Sequence, residues 1–168
     1  MKTALLFLLL VASVNAFCQQ KKERFWMMGL EASLPITKSW STCNYDVKGA
    51  GLVAERGWAH SKRFALILSG SYFHYSGYTS KRELGKKDFN YISLLVGERL
   101  YAYKKLFVQG QIGLSSWGLT LSPALGYQYK NINLQATYRS AAMIRTAECY
   151  VHPNTEHWGF RISYVLNK

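Results

Sequence analysis

Residues 157–168 alternate in character: Trp158, Phe160, Ile162, Tyr164 and Leu166 fall on one side of an extended chain, Gly159, Arg161, Ser163 and Val165 on the other. A period of two is that of a β-strand rather than a helix. The rhythm recurs at 132–139, where Ile132, Leu134, Ala136 and Tyr138 alternate with Asn133, Gln135, Thr137 and Arg139, and at 106–115 around Leu106, Val108, Ile112 and Leu114. Near the start Trp26, Met28, Leu30, Ala32 and Leu34 alternate with Met27, Gly29, Glu31 and Ser33. Weaker segments at about 47–58, 63–75, 88–102 and 120–130 bring the predicted count to eight strands. Within 88–102, Ile92, Leu94, Leu95 and Val96 run together, leaving the phase open between either face and a bulge.

The connections are unequal. Residues 59–62, 103–105 and the step at Lys130-Asn131 are short; 37–46, 76–87 and about 142–156 are long; 117–119 is a short link on the long side. Short turns on one side and long loops on the other is the asymmetry of outer-membrane barrels, the short side facing the periplasm. Aromatic residues sit near strand ends, where a membrane interface favours them: Trp26, Trp58, Tyr101 and Trp158, with Tyr72, Trp117, Tyr127 and Tyr129.

Inside hydrocarbon an unpaired backbone polar group costs several kcal/mol, so strands cross only as a closed sheet, and strand one must then pair with strand eight. The expected fold is therefore all-β: a closed, eight-stranded, antiparallel up-and-down transmembrane β-barrel. Eight strands leave an interior that side chains fill, which argues against a diffusion pore. The expected inward set includes Glu31, Glu55, Gln109, Gln111, Gln128, Asn133, Gln135, Arg139 and Arg161, with Glu31 beside Arg161 and Arg139 one strand further. Buried charges must be paired to be tolerated, so Glu31, Glu55, Arg139 and Arg161 read as a structural ion cluster.

Composition agrees: 12 Tyr, 8 Phe, 5 Trp and 13 Gly against 3 Pro suit aromatic strands joined by tight turns. The beginning reads as a secretory signal, with Lys2 as its positive end, an apolar run from Ala4 to Ala12, and cleavage expected after Ala16 or Cys18. The expected organisation is a signal peptide at 1–18 followed by one barrel domain at 19–168. The net charge of +12 gathers near hairpin ends, which favours anionic lipid head groups over nucleic acid, for which no motif is present. Two similar stretches, Leu52 to Trp58 and Leu95 to Tyr101, share a Glu-Arg step and read as shared interface chemistry. Alternation turns Arg56 outward near the short-turn edge, where a long side chain can snorkel.

The architecture, the junction Ala16-Phe17-Cys18-Gln19-Gln20 and the aromatic-alternating last strand resemble the small outer-membrane barrels of the OmpX and OmpA type, and the short barrels common in Bacteroidetes. The resemblance covers nearly all of the mature chain. It implies outer-membrane residence, insertion by the barrel-assembly machinery, a monomer and no cofactor. The chain ends on Asn167-Lys168 where many relatives end on an aromatic.

Candidate chemistry lies mostly in the long connections. Cys43 and Cys149 fall in the first and last, which closure brings together, so either a disulfide or two free thiols is expected. Cys149, His152 and His157, with Glu148 and Glu156, have a spacing that matches no established metal site, and none is expected. His74 and Ser140 invite a search for a hydrolytic triad, but no catalytic string is legible, and His74 reads as interfacial. Lys81, Arg82, Lys86 and Lys87 make the second long connection basic, either a solvated loop or a contact for lipopolysaccharide phosphates. The expected function is non-enzymatic, structural or surface-interacting. A lipid A-modifying enzyme and a soluble ligand-carrying barrel stand as alternatives, the latter opposed by Trp158, Phe160, Ile162 and Tyr164 facing outward.

Overall fold

A computed structural model describes residues 23–35, 45–79, 86–103, 105–143 and 154–166. Eight antiparallel strands follow one another around a closed barrel: β1 (Glu23–Pro35), β2 (Tyr45–Ala59), β3 (Phe64–Thr79), β4 (Lys86–Tyr103), β5 (Leu106–Ser115), β6 (Gly118–Tyr129), β7 (Ile132–Met143) and β8 (Asn154–Val165). Each strand pairs with its sequence neighbour, and β1 closes on β8 from Met27 opposite Val165 to Pro35 opposite His157. Closure leaves no strand edge, which is how a sheet satisfies its backbone where water is absent.

Alternation decides the faces. Along β6, every second residue from Gly118 to Gly126 is buried, while Leu119, Leu121 and Leu125 are exposed. The outward set is an apolar belt, with Met28, Leu30, Leu52, Ile92, Leu94, Leu114, Phe160 and Ile162 among its members. The inward set is mainly polar and aromatic, with a few aliphatic residues such as Val53, Ile67 and Leu95 among it. This inversion of the soluble pattern is the surface of a transmembrane barrel.

In β4 the open phase resolves with Leu95 inward and Ile92, Leu94 and Val96 outward. The irregularity lies further on, between Tyr101 and Tyr103, where β4 meets β5. Several strands run past their predicted ends into the long connections; β3 and β4 stay paired up to Tyr78 opposite Lys86, because a ladder continues while hydrogen bonds remain to be made. Pro123 interrupts the β6–β7 ladder between Leu121 and Ala124, having no N–H to donate.

The turns divide into two ends. At one, His60 to Arg63 join β2–β3, a short link between Tyr103 and Leu106 joins β4–β5, and Lys130-Asn131 join β6–β7. Ser61 Oγ accepts from the amides of Arg63 and Phe64, and Lys130 takes the left-handed conformation (φ 54°) that its two-residue turn demands. At the other end only the β5–β6 link is short. It is a two-residue turn, Ser116-Trp117, closed by Gly118 at φ 121°, a value favouring glycine.

Candidate functional site: the filled lumen and its two mouths

The lumen is crossed by one polar network. Glu31 on β1 accepts from Arg161 Nε on β8 (2.7 Å), Arg139 Nη2 on β7 (2.9 Å) and Thr137 Oγ1 (2.9 Å). Arg161 then bridges to Glu55 on β2 through Nη1 (2.5 Å). Glu55 also accepts from Arg99 Nη2 on β4 (3.0 Å) and Gln109 Nε2 on β5 (3.0 Å), while Arg99 Nε donates to Gln109 Oε1 (2.8 Å). The network thus links β7 and β8 to β4 and, through neutral Gln109, to β5 by way of β1 and β2, across the barrel rather than around its wall. Every member is 2 % exposed or less. Gly159 is required here: a Cβ at that position would run into the Glu31 carboxylate and Thr137 Oγ1.

Arg99 and Gln109 complete the cluster. Arg99 is fully buried, with its guanidinium 4.2 Å from the Phe107 ring and Nη1 donating to Met27 Sδ at 3.5 Å. Alternation over 88–102 does not single Arg99 out; the signal that does is Leu95, which fixes the phase four residues earlier. The resemblance between 52–58 and 95–101 is corrected: Glu55 points inward and Arg56 outward, whereas Glu98 points outward and Arg99 inward. The two Glu-Arg steps lie out of phase and share no chemistry.

Toward the long-connection end the lumen is closed by aromatic rings. Phe73 and Tyr75 on β3, Tyr91 on β4, Trp117 in the β5–β6 turn and His157 on β8 lie 4.8–6.0 Å apart between ring centres. Tyr75 donates to Ser33 Oγ (3.0 Å) and Tyr91 to Thr120 Oγ1 (3.3 Å). Arg139 joins the two regions, its guanidinium 4.5 Å from the Phe73 ring. Both ring nitrogens of His157, and Nε and Nη1 of Arg139, are buried without a hydrogen-bond partner among the described residues.

Two interfacial aromatics are corrected. Tyr101 follows Arg99 on the inward phase, packs 5.8 Å from Phe107 and donates to Gln128 Oε1 at 3.1 Å. It borders, with Phe25 and Gln128, a cavity of about 450 Å³ at the short-turn mouth, rimmed by Lys62 and Lys105. Trp117 turns onto Tyr75 and Tyr91. Trp26 and Trp58 remain on the outer face at the short-turn end, and Trp158 on the outer face at the other, 5.3 Å from Tyr138.

His74 and Ser140 do not converge. They stand on β3 and β7, on opposite sides of the eight-stranded barrel, both facing outward. His74 Nδ1 instead lies 3.1 Å from Asn90 Oδ1, to which Tyr72 also donates (3.0 Å), and His74 Nε2 lies 4.0 Å from Asp88. Adjacent residues of β8 face opposite ways, so Glu156 and His157 cannot bind one metal ion; among the described residues no group of three His, Cys, Asp or Glu could hold one. Cys43, Cys149, Glu148, His152, Lys81, Arg82 and the expected signal peptide at 1–18 lie outside the described residues. Lys86 and Lys87 begin β4, paired with Tyr78 and Gly77.

No family model and no curated protein matches the chain by sequence. In structure the chain is similar to Ail, the attachment invasion locus protein of Yersinia pestis. The TM-score is 0.56 at 13 % identity against Ail in complex with the heparin analogue sucrose octasulfate, covering 88 % of this chain and 100 % of Ail. A second crystal structure of Ail gives 0.55 and 14 % with the same coverage. The backbone structure of that outer membrane protein in a phospholipid bilayer nanodisc gives 0.53 and 13 %, covering 86 % and 100 %. At such identities the likeness is one of fold.

Proposed function

We propose that this chain is a non-enzymatic outer-membrane protein of the small-barrel type common in Bacteroidetes, whose rigid barrel presents its long connections at the cell surface for interaction. The observation carrying this reading is the combination of an apolar outer belt with a lumen filled from wall to opposite wall by the Glu31–Arg161–Glu55–Arg99 network. Such a molecule needs a bilayer and offers no conduit. Its outward apolar face disfavours a soluble carrier, and the separation of His74 from Ser140 disfavours a lipid-trimming enzyme built on them.

In this reading residues 1–18 are a cleaved leader, 19–168 form the domain, and the barrel-assembly machinery inserts it as a monomer. Lys81, Arg82, Lys86 and Lys87 then meet the phosphates of lipopolysaccharide, charge-assisted contacts that a basic hairpin end is suited to make. The similar barrel of Ail was solved with a polysulfated sugar, a polyanion of related chemistry. A Cys43–Cys149 disulfide would tie the first and last long connections at the surface.

The test has two parts. Membrane fractionation and protease shaving of intact cells are expected to find the chain in the outer membrane and cut in the long connections, with no conductance in planar bilayers. Lipopolysaccharide co-purifying with the barrel is expected to fall when the four basic residues become Gln. Recovery in the soluble fraction defeats the membrane-anchored reading; stable single-channel conductance defeats the filled, non-conducting lumen; unchanged co-purification defeats the lipopolysaccharide contact.

A further inference from the structure

On the outer face at the short-turn end, Arg56 of β2 lies with its guanidinium carbon 5.0 Å from the Trp26 ring and 5.1 Å from the Trp58 ring. Trp26 is its cross-strand partner, and Trp58 follows it on the same face two residues along. Arg56 Nε is buried and unpartnered, and none of the guanidinium nitrogens has a hydrogen bond or ion pair among the described residues. The outward carboxylate of Glu98 belongs to β4, two strands away, and makes no ion pair with it. A cation held between two indoles on a lipid-facing surface, with no acidic partner among the described residues, is chemically suited to bind an anion.

We propose that Arg56, Trp26 and Trp58 form a specific site for the phosphate of one anionic phospholipid in the leaflet at the short-turn end. The inference rests on the membrane reading above. Arg56 lies three residues before the end of β2 at Ala59, about 10 Å along the strand, so its side chain reaches the head-group level. A guanidinium presents paired N–H groups that match two phosphate oxygens, and the indole faces fix its plane and shield it from water. Leu68 and Leu66, the β3 partners of Arg56 and Trp58, are exposed and offer the acyl chains a surface. Arg24, cross-strand from Trp58, stands on the rim beside the mouth cavity and adds positive potential. The same end repeats the pairing of cation and ring at Tyr129, with Lys105 Nζ at 4.5 Å and Lys130 Nζ at 5.6 Å.

The experiment is native mass spectrometry of the full barrel, released from detergent after incubation with equal amounts of phosphatidylglycerol and phosphatidylcholine. The first lipid retained is expected to be phosphatidylglycerol, by about tenfold, as charge-assisted pairing to an unscreened guanidinium implies. Arg56→Gln is expected to bring the preference within about twofold, and Arg56→Lys, which keeps the charge, to lose at least half of it, because the bidentate geometry is gone. Lys48→Gln, on the outer face of the opposite end, is expected to change nothing. Inorganic phosphate, lacking chains to seat on Leu66 and Leu68, is expected not to compete. Equal retention of both lipids by the wild type, competition by free phosphate, or full preference in both Arg56 variants overturns the site while leaving the barrel in its membrane. Failure of the wild type to insert into vesicles removes the membrane reading and the site together.

Discussion

The two halves of the lumen solve the same packing problem by different means. Around Glu31 and Glu55, every carboxylate oxygen meets arginine, glutamine or threonine, and opposite charges alternate across the barrel. Toward the long connections the filling is Phe73, Tyr75, Tyr91, Trp117 and His157, and polar atoms of Arg139 and His157 have no partner among the described residues. The first half is specified by charge geometry and is expected to fail most sharply when a carboxylate is removed. The second is specified by ring volume and is expected to tolerate the loss of a polar group.

Glu55→Gln tests the sharper half most severely. It leaves Arg99 and Arg161 facing a neutral group in a buried site, and is expected to cost about 3–5 kcal/mol, read as urea unfolding in lipid vesicles. Arg161→Met should cost less, about 1–3 kcal/mol, although it removes the residue that bridges both carboxylates. What remains is two arginines and two glutamates, each still paired: Arg139 with Glu31 and Arg99 with Glu55. If Arg161→Met proves costlier than Glu55→Gln, charge balance is not what governs this cluster.

In the aromatic half the expected effects shrink. Tyr75→Phe deletes the hydrogen bond to Ser33 and should cost about 0.5–1.5 kcal/mol in the same assay. His157→Phe removes two unpartnered nitrogens while keeping a ring against Tyr75 and Tyr91, and should change stability by no more than about 1 kcal/mol in either direction. A loss near that of Glu55→Gln would mean that His157 carries polar contacts through water, and the contrast between the halves would dissolve.

The strands and their inward faces were legible because bilayer and lumen impose opposite demands on alternate residues, so Trp158, Phe160 and Ile162 cannot share a face with Arg161. Strand ends were less so, since pairing above the membrane continues under no hydrophobic constraint, as Tyr78 and Lys86 show. Tyr101 and Trp117 misled because a ring near a strand end suits an interface and a lumen mouth equally, and only phase or turn geometry separates the two. The Glu-Arg steps at 55–56 and 98–99 misled more deeply, being identical in letters and opposite in orientation.

By itself the amino-acid order determined eight alternating segments, an oily exterior around a polar interior, and neighbours through the wall such as Glu31 and Arg161, because a fixed period of two and closure leave those no freedom. The tertiary structure alone decided which groups meet across the lumen: Arg99 with Glu55, Trp117 with Tyr91, Arg139 with Phe73. Such contacts depend on the tilt and stagger with which the sheet closes, and no local repeat along one strand carries that information.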